Sequence, residues 1–206
     1  MSESGTVQQE FDALAERVRP EIVGPEAAVA HAGVTTGRPW TTAEGRERLA
    51  RILTEPAQPL GLRELAAFGL GCAGDRRAFE TLVLLLNHRD PARCASAASA
   101  LARLGDPRTM RAAAALATNP LRTAYALHPV RLLTGLREPE SVPALIATLE
   151  RLLAPTDPHW RIALACVEGL GELGDDRAVP VLTAARDHPR LSEAAGSALA
   201  QLGVPV

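Results

Sequence analysis

The stretch Gly169-Leu170-Gly171-Glu172-Leu173-Gly174-Asp175-Asp176-Arg177-Ala178-Val179-Pro180-Val181-Leu182 reads as the end of one helix, a stop, and the start of another. Gly174 supplies the left-handed residue that closes a helix, and Asp175 offers a carboxylate to the exposed amides of the next one. Near copies stand at Ala73-Gly74-Asp75-Arg76-Arg77 and Leu104-Gly105-Asp106-Pro107-Arg108. A degenerate copy stands at Leu136-Arg137-Glu138-Pro139-Glu140, and Leu202-Gly203 begins a fifth. The position before each acid falls at 74, 105, 137, 174 and 203, so the chain repeats every 29 to 37 residues. The longest period holds the insertion Ala154-Pro155-Thr156-Asp157-Pro158. A period of this length is the sequence signature of stacked supersecondary units.

Two helical patterns fit inside each period. Phe79, Leu82, Val83 and Leu86, or Val142, Leu145, Ile146 and Leu149, are spaced as one face of a first helix. A turn follows, such as Asn87 to Pro91, Thr118-Asn119-Pro120 or Asp187-His188-Pro189. An Ala-rich second helix then leads into the next L-G-D, as over 94–104 and 161–173, where small residues let neighbouring helices approach closely. The expected fold is an all-α solenoid of four or five stacked antiparallel helix pairs.

The pattern A-L-x-x-L-G-D-x-R-A-V-P-x-L resembles the HEAT repeats, in the short form first associated with phycobilisome lyases. Residues 169–182 carry the nearest copy and 100–108 the next, and the resemblance spans about 61 to 206. It implies a right-handed stack whose second helices line a concave side. HEAT-like proteins are mostly binding scaffolds, so the resemblance implies a surface before it implies a reaction.

Over 206 residues, 47% are hydrophobic and the net charge is −2, with 38 Ala and 30 Leu against six aromatics, a helix-favouring and globular composition. All 22 basic residues are Arg, which removes P-loop lysine and Schiff-base chemistry. A mildly acidic chain lacks the positive surplus of a nucleic-acid binder. Cys72, Cys94 and Cys166 are odd in number and share no C-x-x-C spacing, so they read as buried thiols in a reducing compartment. Without an apolar leader after a basic stretch or a membrane-length apolar run, the expected location is cytoplasmic.

The first sixty residues carry −3, six Arg against nine acids, while 61–206 carry +1. Residues 7–19 predict a helix with Phe11, Leu14, Ala15 and Val18 on one face. Residues 20–40, rich in Gly, Pro and Thr, predict an irregular connector whose Trp40 packs on the repeats. The expected division is 1–41, N-terminal helix and connector, and 42–206, the repeats with a divergent cap repeat whose capped start is Thr41-Thr42-Ala43-Glu44.

His88, His159 and His188 fall at the turns between helices and read as solvated residues. A metal needs converging ligands, whereas packed helices lie about ten ångström apart. The HEAT-like deoxyhypusine hydroxylases hold two irons on His-Glu dipeptides; here the histidines are followed by Ala32, Arg89, Pro129, Trp160 and Pro189, so that resemblance fails. No cofactor or metal is expected. Pro129 inside a second helix predicts a kink, giving either curvature alone or a polar pocket with Tyr125, His128 and Arg131. Arg77, Arg108 and Arg177 recur at one repeat position and predict pairing with the Asp of a neighbouring turn. The second helices present Arg63, Arg93, Arg122, Tyr125, His128, Arg131, Arg161, Glu168 and Glu172 as the candidate binding set, Arg-rich in the middle and Glu-bearing near the C-terminal end. Such a mixed groove suits a protein or peptide better than a polyanion. The expected function is a non-enzymatic scaffold or adaptor. The alternative is a small-molecule- or chromophore-handling enzyme or accessory subunit related to phycobilin lyases.

Overall fold

The computed structural model describes residues 3–204, and these contain α and 3-10 helices with no strand. The chain divides into two compact units, 1–106 and 107–206. The N-terminal unit holds α1 (Glu3–Val18), α2 (Pro25–Thr35), α3 (Ala43–Thr54), α4 (Leu60–Cys72), α5 (Phe79–Leu86) and α6 (Pro91–Leu104). The C-terminal unit holds α7 (Arg108–Thr118), α8 (Leu127–Leu136), α9 (Ser141–Leu152), α10 (Trp160–Leu173), α11 (Val179–Ala185) and α12 (Ser192–Gln201). From α3 onward the helices alternate as first and second members of antiparallel pairs, the α-solenoid arrangement. The second helices pack side by side, α4 on α6 in one unit and α8, α10 and α12 in sequence in the other.

The punctuation works as the sequence predicts. Gly105 and Gly174 have φ of 63° and 67°, where a side chain would be strained, and each closes a second helix. Asp75 and Asp175 accept from the amides of Arg77 and Arg177 at 3.1 and 2.9 Å. In the degenerate copy Arg137 adopts the left-handed conformation itself, with φ of 53°. Thr42 caps α3 by accepting from the Gly45 amide at 3.1 Å. Leu82, Leu86, Val142, Leu145 and Leu149 are buried, which places the first helices' apolar faces in the core; Val83 and Ile146 are half-buried at its margin.

Close helix approach rests on a glycine and an alanine at matching positions in the two units. A Cβ on Gly71 of α4 would stand 3.0 Å from the Ala100 Cβ of α6, and one on Gly171 of α10 would stand 2.9 Å from the Ala198 Cβ of α12. Counted from the turn glycines Gly74, Gly105, Gly174 and Gly203, Gly71 matches Gly171 and Ala100 matches Ala198. The pairs α4/α6 and α10/α12 are therefore packed in the same register.

Four expectations are corrected. Residues 25–35 form helix α2 where composition predicts irregular chain, because Pro25 and Gly24 start a helix whose Ala-rich interior continues it. Its Val34 is buried, while Val23 just before it and Val29 within it are exposed. Pro129 produces no kink: a 3-10 stretch over Pro120–Tyr125 precedes α8, so the proline falls in the first turn, where its missing donor costs nothing. Arg77 and Arg177 fork their own Asp75 and Asp175 instead of a neighbour's. Each also reaches the preceding repeat, Arg77 through Nη1 to Glu47 and Arg177 through the Nη2 it shares with Asp175 to the Pro139 carbonyl. Finally, His188 is buried at 3% exposure, its Nδ1 accepting from the Arg190 amide at 3.2 Å. His88 is half-buried and does the same for the Asp90 amide at 3.0 Å. These imidazoles act as turn caps.

Candidate functional site

Positions 10, 6 and 2 residues before each turn glycine fall on one face of a second helix, since i, i+4 and i+8 lie nearly above one another. In α4 they are Glu64, Phe68 and Cys72, and in α6 they are Ala95, Ser99 and Arg103. In the N-terminal unit α1 rests on this double stripe. Phe11, fully buried, packs in a tilted geometry against Phe68 and Trp40, with ring centroids 6.3 and 4.5 Å apart, fixing the indole against the repeats as its sequence context predicts. Glu10 receives Ser99 Oγ at 2.6 Å and two Arg103 nitrogens at 2.7 and 3.0 Å. Burial works to raise the Glu10 carboxyl, and the Arg103 and Ser99 hydrogen bonds outweigh it, holding the group below the ordinary carboxylate range.

One turn further along, a buried ion network fastens the end of α1. Glu64, 1% exposed, accepts from Arg93 at 2.7 Å and from Ser96 at 2.6 Å, and also from Arg17. Arg93 bonds Glu21 in the 3-10 turn after α1 and lies 3.6 Å from Asp90. Such a network is costly to desolvate and strongly destabilising to break, so it fixes where the N-terminal segment lies.

The C-terminal unit repeats the stripe with different residues. Leu164, Glu168 and Glu172 of α10 face Glu193, Ser197 and Gln201 of α12 across an open groove of about 550 Å³. All but Leu164 of these are exposed, and Ala194 and Ala198 complete the floor. Arg190 stands at the groove's edge over the Trp160 ring, 5.1 Å from its centroid.

The sequence-derived set is thus dispersed. Glu168 and Glu172 share the groove. Arg93 is consumed in the buried network, so it presents no binding surface. Arg63 is half-buried on α4. Arg122 stacks on Tyr125 at 4.5 Å. His128 is half-buried and loses basicity, first through burial and then through the Arg131 charge. Arg131 and Arg161 are exposed, Arg161 lying 5.3 Å from the Trp160 ring. The sequence reading missed Glu10, Glu64, Ser99 and Arg103 in one unit, and Glu193, Ser197 and Gln201 in the other. A register count from the turn glycines would have found the last three.

Burial pushes the Cys166 thiol up to about 12 and the half-buried Cys72 thiol up to about 11. Cys94 is buried and donates to the His88 carbonyl at 3.1 Å. These are packing thiols, since a reactive cysteine needs an accessible thiolate. Among the described residues no three His, Cys, Asp or Glu side chains are grouped to hold a metal, and no helix is long and apolar enough to cross a membrane.

With that geometry in place, residues 124–203 match the family described as HEAT repeats. The likeness to HEAT repeats covers residues 124–203. The matched HEAT segment contains the whole α10/α12 groove. No curated protein matches the chain. A solved structure of human deoxyhypusine hydroxylase in complex with glycerol is similar at 16% identity over 97% of this chain and 98% of that one. Its TM-score is 0.31, and at that level the likeness carries no argument.

Proposed function

We propose that this HEAT-repeat protein is a non-enzymatic scaffold or adaptor that holds a protein partner on the face built by its second helices. One observation carries the reading: the stripe on α4 and α6 already seats an α-helix, the chain's own α1, while the same stripe on α10 and α12 is exposed. A surface that packs a helix in one unit has the spacing to pack one in the other. Solenoids work this way because each added repeat extends a continuous surface rather than enclosing a reaction chamber.

The test is affinity capture from native extract with the wild type and with Glu168→Arg/Glu172→Arg. A specific protein retained in stoichiometric amount by the wild type and lost by the variant is the expected result. The substitutions are on exposed side chains, so circular dichroism should be unchanged. Retention of a small molecule or pigment with no protein would overturn the scaffold in favour of the phycobilin-lyase-type alternative, in which the Arg122–Tyr125 and His128–Arg131 cluster is the place to look.

A further inference from the structure

From the charge on the two equivalent stripes we infer that the α10/α12 groove takes a basic amphipathic helix of a partner protein, seated as α1 is seated on α4/α6 but with basic residues where α1 presents Glu10 to Arg103. The inference rests on the scaffold reading and names the occupant.

The α1 contact supplies the template. Its acid, Glu10, lies between Ser99 and Arg103 of α6, its apolar Phe11 sits on Phe68 of α4, and Arg17 near its end meets Glu64 of α4. In the groove the position of Phe68 is taken by Glu168, that of Cys72 by Glu172 and that of Ala95 by Glu193. The position of Arg103 is taken by the uncharged Gln201, and Ser99 by Ser197. A stripe with one carboxylate, Glu64, and one guanidinium, Arg103, has become one with three carboxylates and no cation among its six positions, Leu164 standing in place of Glu64; the guanidinium that lines the groove, Arg190, lies over Trp160.

Three properties of the occupant follow. The stripe runs over eight residues of helix, about 12 Å, so it contacts two to three turns of a partner helix. Arg or Lys residues spaced i, i+4 would meet Glu168 and Glu172, which have that spacing themselves. Their aliphatic stems and one apolar side chain would cover Leu164, Ala194 and Ala198. A second copy of this chain is excluded as the donor through α1, whose described span Glu3–Val18 carries four acids and one Arg.

The test uses three synthetic peptides and the full chain with methyl-labelled Leu and Ala. One peptide has the sequence of residues 3–19; the second carries Glu10→Arg, Asp12→Arg and Glu16→Arg; the third is a scramble of the second that keeps its charge and loses its apolar face. The second peptide should shift the Leu164, Ala194 and Ala198 methyl signals and bind at least tenfold more tightly than the other two. Its affinity should fall as salt is raised. In Glu168→Arg/Glu172→Arg the order of the first two peptides should invert.

Equal binding of the first two peptides at the groove would overturn the charge assignment and leave the scaffold reading standing. Equal binding of the scramble would reduce the effect to unspecific attraction and overturn the inference. So would shifts confined to residues near Trp40, which would mean displacement of α1, or no binding by any peptide. The scaffold reading is judged separately by capture of a partner.

Discussion

The two units are built in the same register and finish their second helices differently. In the N-terminal unit the stripe on α4 and α6 is covered except at Ala95, and the polar side chains on and beside it, Glu64, Arg93, Ser99 and Arg103, are committed to contacts with the N-terminal segment. In the C-terminal unit the same positions on α10 and α12, apart from the half-buried Leu164, face solvent. A repeat fixes where a surface lies; the residues at three positions per helix decide whether it is covered or left exposed.

Breaking the buried network should give the largest effect. Glu64→Ala removes the buried acceptor shared by Arg17, Arg93 and Ser96 and should cost about 3–5 kcal/mol by urea denaturation. The equivalent change in the other unit, Leu164→Ala at a half-buried groove position, should cost far less. If the two costs were alike, the contrast between units would fail. Next in size is the shared helix contact. Gly71→Val and Gly171→Val each force a side chain into a 3 Å gap and should each lose about 1–3 kcal/mol, similar in the two units because the packing is similar.

A smaller effect distinguishes the units by pH. Glu10 has a folded value lowered from 4.5, so its contribution is present above that value and is lost as pH falls through the lowered one. Because the carboxylate is about a third exposed, the loss is limited to about 1 kcal/mol by screening. Comparing wild type with Glu10→Gln between pH 6 and pH 3 should show the difference shrink toward the acid end. Smallest is the effect on thiol labelling. At pH 8 native Cys72 and Cys166 should both react with a disulfide reagent far more slowly than in denaturant, given their raised values. Phe11→Ala, which loosens α1, should speed Cys72 and leave Cys166 unchanged.

Much of this was legible in the chain. Gly-Asp punctuation marks helix ends because it acts through the backbone of adjacent residues, and the spacings of Leu82, Leu86, Leu145 and Leu149 mark faces because helix geometry is local. Pro129 was misread because a proline's effect depends on where the helix starts, and the 3-10 turn over Pro120–Tyr125 sets that start. Arg93 was misread as surface for a different reason. Its partners Glu21 and Glu64 lie 72 and 29 residues away, and no local pattern reports that distance in sequence.

By itself, then, the sequence determined the all-helical repeat, the pairing of helices and the side of each helix that turns outward. Only the tertiary structure decided which outward stripe is occupied. Stacking is set by nearest-neighbour contacts that recur every period, whereas the seating of α1 depends on Glu10 meeting Arg103 and Arg17 meeting Glu64, single pairs joined across long loops of chain.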